Sequence, residues 1–208
     1  MRELCAVFLT MLVSQGRDRR SERFAATRQE ILDAAWELAR DEGLMAITMR
    51  DLGARVGMRA QSLYAYFPSK HAIYDAMFAA GNENLLERTQ AIEETDPVRR
   101  LRAQARAFVQ FCVEEPVRHQ LLFQRTIPGF EPSPQSYATA VQGLALIRAT
   151  VTSCGVKSSR AFDVWRALLS GLAAQQNANE PGGRRWVRLL DESTDMYLER
   201  YQIPTTRS

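Results

Sequence analysis

From Ile31 to Ala39, apolar residues return every three or four positions. Ile31, Ala34, Ala35, Leu38 and Ala39 fall on one face of a helix. Thr27-x-x-Glu30 ahead of them resembles a capping box, and Asp41-Glu42-Gly43 closes the run with Gly43 as its C-terminal cap. The helical period continues along the chain. Thr48-x-x-Asp51 opens a short helix through Leu52 to Val56, Gly57 interrupts it, and a second short helix is predicted from about Ala60 to Phe67. Pro68-Ser69 restarts the chain into a long helix from roughly Lys70 to Glu93. Asp96-Pro97 starts a fifth, which ends at Glu114-Glu115-Pro116, and a sixth runs to about Arg125. "TIPGFEPSP" follows, and its prolines and glycine forbid a regular element. Helix resumes from Gln135 to Cys154, Ser158 to Asn179 and Gly183 to Tyr201, the last two separated by "EPGG". Strand-like alternation bounded by turns is absent, and no internal repeat is visible. The pattern predicts an all-α protein of about nine helices.

One stretch of this pattern carries chemistry: "GMRAQSLYAYFPSKH", residues 57–71. Two short helices joined at a glycine are the layout of a helix-turn-helix. Leu52, Val56, Leu63 and Phe67 are the inward residues, with Ala60 small enough for close packing. Gln61, Ser62 and Ala65 then fall on the opposite side, flanked by Tyr64 and Tyr66. Such a face has no long charges to obstruct close approach. It suits the DNA major groove, where Gln pairs bidentately with adenine, Ser donates or accepts, and Ala touches a thymine methyl. The phenolic hydroxyls, Lys70 and the helix N-terminus capped by Thr48 can hold phosphates. An ordinary helical hairpin with an uncharged outer face has the same spacing, so spacing alone leaves both readings open.

A longer run decides between them. "ILDAAWELARDEGLMAITMRDLGARVGMRAQSLYAYFPSKHAIYDAM", residues 31–77, resembles the N-terminal DNA-binding domain of TetR-family transcriptional regulators. The matching marks are "ILDAA" at the first helix, "G-x-x-x-x-T-M-R-D-L-G-x-x-V-G" into the turn, and "S-L-Y-x-Y-F-P-S-K" as recognition helix and exit. The resemblance implies a homodimer on a palindromic double-stranded DNA operator and a C-terminal domain that binds a small-molecule effector. It implies phosphate contacts at Thr48, Tyr66 and Lys70, and base-reaching positions at Arg50, Arg59, Ala60, Gln61, Ser62 and Tyr64. Ala60 and Ala65 cannot hydrogen-bond through their side chains, so base reading falls to Gln61, Ser62, Tyr64 and Arg59 or Arg50. On this reading the chain divides into a flexible arm (1–24), a helix-turn-helix domain (25–72) and a ligand-binding and dimerisation domain (73–208).

Composition changes the picture little. The chain has 208 residues, 46% hydrophobic and 25% charged, the balance of a folded globular protein. A net charge of +3 permits nucleic-acid binding without arguing for it, since steering depends on where charge sits. Cys5, Cys112 and Cys154 are scattered and odd in number, which reads as free thiols of a reducing cytoplasm. No two lie at metal-ligand spacing, and His71 and His119 are the only histidines, so neither metal nor cofactor is expected. The apolar run Leu4 to Val13 is too short to span a bilayer and lacks a cleavage site. It reads as an extra helical segment or as sequence upstream of a start at Met11.

The remaining helices offer an apolar stripe. Phe108, Phe111, Cys112, Leu122, Phe123 and Trp165 are candidates for a ligand pocket, although such a stripe also makes a solid core. His119 is expected at a helix surface, and "TIPGFEPSP" is either a lip over a pocket or a connector. Leu168, Leu172, Trp186, Leu190 and Tyr197, on the last two helices, are candidates for a dimer interface under the family resemblance. The expected function is a ligand-responsive regulator, most simply a repressor released by an apolar or aromatic effector. An effector-independent DNA-binding architectural or assembly factor is the alternative. No nucleophile–base pair, phosphate-cradling glycine loop or cofactor fingerprint points to an enzyme.

Overall fold

The computed structural model describes residues 2–203, with side chains from residue 19 onward. Its helices are α1 (Arg2–Glu42), α2 (Met49–Arg55), α3 (Ala60–Leu63), α4 (Lys70–Gln90), α5 (Pro97–Glu114), α6 (Pro116–Phe123), α7 (Pro134–Ser153), α8 (Ser159–Asn179) and α9 (Leu190–Arg200). Leu44–Ala46 and Val187–Leu189 form 3-10 turns, and no strand occurs among the described residues. The fold is all-α. The side chains of Cys5 and of the Leu4 to Val13 run lie outside the described residues.

Local chemistry sets most helix starts. Thr48 Oγ1 accepts from the Asp51 N–H at 3.1 Å to open α2. Asp96 accepts from the Arg99 N–H at 2.8 Å, with Pro97 pre-set for the first turn of α5. Ser133 with Pro134 and Ser158 do the same for α7 and α8. Gly43, at φ 88°, ends α1 and donates its N–H to Ala39.

Three boundaries depart from the sequence pattern. α1 runs unbroken from Arg2, so Thr27 is an interior residue, and Arg19 to Ala26 continue the helix where a flexible arm was expected. Nothing from Arg17 to Ala26 is a glycine or proline that would break it. α3 stops at Leu63 and the chain continues as a tight turn through Tyr66, and Pro68, by disfavouring helical geometry at Phe67, keeps this segment from running on into α4. The last helix begins only at Leu190. Ahead of it, the Glu180 carboxylate accepts from the N–H groups of Arg184 and Arg185, and Gln176 Oε1 accepts from those of Trp186 and Val187. These donors are satisfied by side chains rather than by a helical ladder.

The chain divides into two compact units, Met1–Met77 and Phe78–Ser208. In the first, Ile31, Ala35, Leu38 and Ala39 of α1 are buried, as are Ile47, Leu52, Leu63, Phe67, Ile73 and Met77. Tyr74 is buried with its hydroxyl donating to the Leu44 carbonyl at 2.6 Å, and burial pushes its pKa up to about 12. In the second unit, Leu101, Ala105 and Val109 of α5 pack with Phe162, Trp165 and Leu169 of α8 and with Leu190, Tyr197 and Leu198 of α9. A smaller cluster holds Phe111, Cys112 and Ala173. Among the described residues, no helix is long and apolar enough to cross a membrane.

Candidate nucleic-acid interface and cavity

The turn between α2 and α3 is built on two glycines with different duties. Gly57, at φ 67°, makes the turn itself. Gly53 lets the backbones touch: a Cβ there would lie 2.7 Å from the Met58 carbonyl oxygen and 3.2 Å from the Ala60 nitrogen. Leu52, Leu63 and Phe67 are buried beneath, while Val56 and Ala60 are half-buried. The opposite side is open. Gln61, Ser62 and Ala65 are exposed, Tyr64 is 52% exposed, and Arg50, Arg59 and Thr48 are exposed as well.

The three phosphate candidates all carry structural bonds. Thr48 Oγ1, besides accepting from the Asp51 N–H, donates to the Asp51 carboxylate at 2.5 Å. Tyr66 is half-buried, its ring stacked on Phe24 with centroids 4.8 Å apart. Its carbonyl accepts from Arg28, whose guanidinium also lies 4.0 Å over the Phe67 ring. Lys70 Nζ donates to the Met45 carbonyl at 3.0 Å and sits 5.4 Å from the centre of the Tyr74 ring. Partial burial lowers its pKa from the ordinary 10.5. An ammonium has three donors, so Lys70 keeps two for an incoming anion. Phe24 and Arg28 are the residues that spacing did not reveal. They meet α3's exit from about forty positions away along the chain, and no local pattern marks them.

Charge near the turn is partly cancelled. Arg55 bonds Asp41 at 2.8 Å and lies 3.9 Å from both Glu37 and Glu42, which raises its pKa chiefly through the Asp41 bond. Arg50 and Arg59 have no such carboxylate partner among the described ion pairs, so their charge is available at the exposed face.

The second unit holds a partly open cavity of about 540 Å³. Of the pocket candidates, Phe108, Leu122, Phe123 and Trp165 line it. Phe111 and Cys112 do not. They are fully buried in their own cluster with Ala173, and burial pushes the Cys112 thiol up to about 12. At three and four positions apart, Phe108, Phe111 and Cys112 share one face of α5; Phe108 lines the cavity and also packs against the cluster that Phe111 and Cys112 fill. Phe130, Glu131 and Pro132 from the proline-rich stretch contribute to the wall, and so do Phe78 and Asn82 of α4 and Tyr137 of α7.

His119 is buried, not at a helix surface. Its Nδ1 accepts from the Asn177 amide at 3.2 Å and the Gln124 amide at 3.3 Å, an arrangement that needs the neutral ring. Burial holds its pKa below the ordinary 6.5. The unfolded chain therefore takes the proton more readily, and the stability this site contributes is complete above 6.5 and lost as pH falls below it. Urea midpoints are expected to drop between about pH 7.5 and about pH 5.5, and to drop less in His119→Gln. Equal drops in the two proteins would exclude His119 as the titrating group.

The proposed dimer residues are mostly spent inside one chain. Leu172, Leu190 and Tyr197 are buried in the core of the second unit, and Tyr197 donates to the Ala161 carbonyl at 3.2 Å. Leu168 is half-buried against that core, and Trp186 is half-buried. These stripes face α5 and each other, because two amphipathic helices first cover their own unit's apolar interior. The large apolar residues left exposed on α8, on α9 and on the 3-10 turn before α9 are Val164, Leu189 and Met196.

Residues 31–77 match the model of bacterial regulatory proteins of the tetR family. Over 158 residues the chain is 26% identical to an HTH-type transcriptional repressor of Mycobacterium tuberculosis strain H37Rv, covering 76% of this chain and 59% of that one. It is 34% identical over 92 residues to the nucleoid occlusion factor SlmA of Vibrio cholerae, covering 43% and 47%. The chain thus spans about 59% of the length of the first of these curated relatives. Its fold matches the crystal structure of the TetR family transcriptional regulator PfmR from Thermus thermophilus with a TM-score of 0.61 at 23% identity, over 81% of this chain and 97% of that one.

Proposed function

We propose that the chain is a TetR-family transcriptional regulator, a repressor that binds a palindromic operator as a homodimer and is released by a small apolar or aromatic effector. The observation that carries this reading is the face of α3 and its exit. Gln61 and Ser62 are exposed on α3, and Tyr64 and Ala65 on the turn that follows it, above the buried Leu63 and Phe67, and no described ion pair covers them. That surface is low enough to enter a major groove, and its side chains match base edges. Arg50 and Arg59 flank it with positive charge. Thr48, Tyr66 and Lys70 set its depth against the phosphates, the last through the two donors that Met45 leaves free.

A dimer supplies the second reading head that a palindrome requires. The outward residues Val164, Leu189 and Met196 are its contacts, in place of the buried stripes. The cavity supports an effector, since a solid core would leave no such volume. Binding there releases DNA only by favouring one spacing of the two heads, and DNA must weaken effector binding to the same degree. The likeness to a nucleoid occlusion factor favours a second reading, a DNA-binding assembly factor without effector control. Retention of DNA by the effector-bound protein would select that alternative.

Substituting Gln61 by Ala is expected to cost about 1–3 kcal/mol on a duplex selected from random sequence by the wild-type protein, and little on unselected duplex. Band-shift titrations of both duplexes check this. Equal losses on the two would remove base reading from Gln61.

A further inference from the structure

The cavity is walled largely by apolar and aromatic side chains, and among the described residues two deeply buried members of its wall keep a polar atom without a hydrogen bond: Trp165 of α8 its indole N–H, and Asn82 of α4 its amide oxygen. Asn82 is 6% exposed, and its amide Nδ2 donates to the Phe78 carbonyl one turn back at 2.9 Å. That bond fixes which way the amide points: the nitrogen faces the helix backbone, so Oδ1 is the free atom. Among the described residues Oδ1 accepts no hydrogen bond. Asn82 Oδ1 is not among the side-chain atoms sealed from solvent, so it is open to the cavity and can accept from a molecule bound there.

No other buried polar side chain of the wall calls for a donor. Thr89 Oγ1 already donates to the Leu85 carbonyl at 2.7 Å. The hydroxyls of Thr139 and Ser170 rotate and can serve as donor or acceptor. The charged lining residues, Arg125, Glu131 and Arg166, are all exposed, so the buried part of the wall is uncharged. A charge carried to its interior would lose its hydration without gaining a partner.

We propose that this cavity takes a neutral aromatic molecule bearing a hydroxyl group, a phenol in the simplest case, whose O–H donates to Asn82 Oδ1 while its rings lie among Phe108, Phe123 and Trp165. The assignment rests on the reading of the cavity as an effector site and narrows it to one ligand class. A phenol is neutral at pH 7 and brings an O–H to Asn82 Oδ1. The parent hydrocarbon fills the same space and leaves Oδ1 unpaired. The matching carboxylate brings a charge into an uncharged interior.

The test compares 4-hydroxybiphenyl, biphenyl and biphenyl-4-carboxylate as probes against the full-length protein, by calorimetry and by tryptophan fluorescence, with Trp165 in the cavity wall as reporter. The phenol is expected to bind about threefold to tenfold more tightly than biphenyl, the gain of one hydrogen bond to a buried acceptor, and more tightly than the carboxylate. In Asn82→Leu the advantage over biphenyl is expected to vanish while biphenyl itself still binds. Asn82→Asp, which keeps an acceptor, controls for loss of packing and retains a preference for the phenol. Equal binding of phenol and biphenyl by the wild-type protein, or a preference for the carboxylate, would overturn the phenol assignment and leave the effector reading standing. Failure of all three probes to bind would count against both.

Discussion

Replacing Gly53 by alanine is expected to disable DNA binding in a protein that still folds. The new Cβ would stand 2.7 Å from the Met58 carbonyl oxygen and 3.2 Å from the Ala60 nitrogen, and both are backbone atoms that cannot swing aside. α3 must move away from α2, and the overpacking costs about 1–3 kcal/mol. A recognition helix displaced by even a fraction of an ångström misaligns its bidentate contacts, each worth about 1–3 kcal/mol. Affinity for a selected duplex should therefore fall about 10- to 100-fold at temperatures where circular dichroism still reports a folded chain. Gly57→Ala is the control. It faces open space, so it pays only the left-handed backbone penalty at φ 67°, about 1 kcal/mol. Equal effects from the two substitutions would mean that the close approach at Gly53 is not what positions α3.

Trp165→Ala is expected to be the most destabilising single change, at about 3–5 kcal/mol. The indole is 1% exposed, lies 4.7 Å from the Tyr197 ring, and joins the α5, α8 and α9 layers while forming part of the cavity wall. Removing it enlarges an existing void that the surrounding helices cannot collapse without losing their contacts. Urea denaturation followed by far-ultraviolet circular dichroism measures the loss, and Trp165→Phe should recover a substantial part of it. A loss under about 1 kcal/mol would show that Trp165 is not a core residue of this unit.

Both predictions depend on features of unequal visibility in the sequence. Gly57 could be read as a turn residue because it interrupts two short apolar periods. Gly53 sits inside a helical pattern, and its duty appears only when the next helix is laid against it. Thr48, Asp96, Ser133 and Ser158 act within three residues of themselves, so their caps are legible locally, although Thr27 shows that a capping pattern yields where nothing stops the helix behind it. Phe24 and Arg28 brace the exit of α3 across about forty residues, and nothing near them in the chain announces that contact.

The α5 and α8–α9 stripes carry the same lesson. Helical period states that a side chain is to be buried, not what will bury it. Phe108 and Phe111 are both apolar, aromatic and three apart, yet one lines a cavity and the other fills a solid cluster. Leu172, Leu190 and Tyr197 have the spacing of an interface, but the unit's own interior claims them first.

By itself, then, the amino-acid sequence determined the all-α class, the helix-turn-helix and the exposed Gln61–Ser62–Tyr64 surface, because each follows from periods and caps that act within a few residues. Only the tertiary structure decided that Gly53 is a contact point, that His119 is buried with its pKa below the ordinary value, that Phe108 and Trp165 face one cavity while Phe111 and Cys112 do not, and that Asn82 turns an unbonded amide oxygen to it. Those facts depend on which helix faces which. Backbone geometry and packing settle that across the whole chain, and a one-dimensional period cannot carry it.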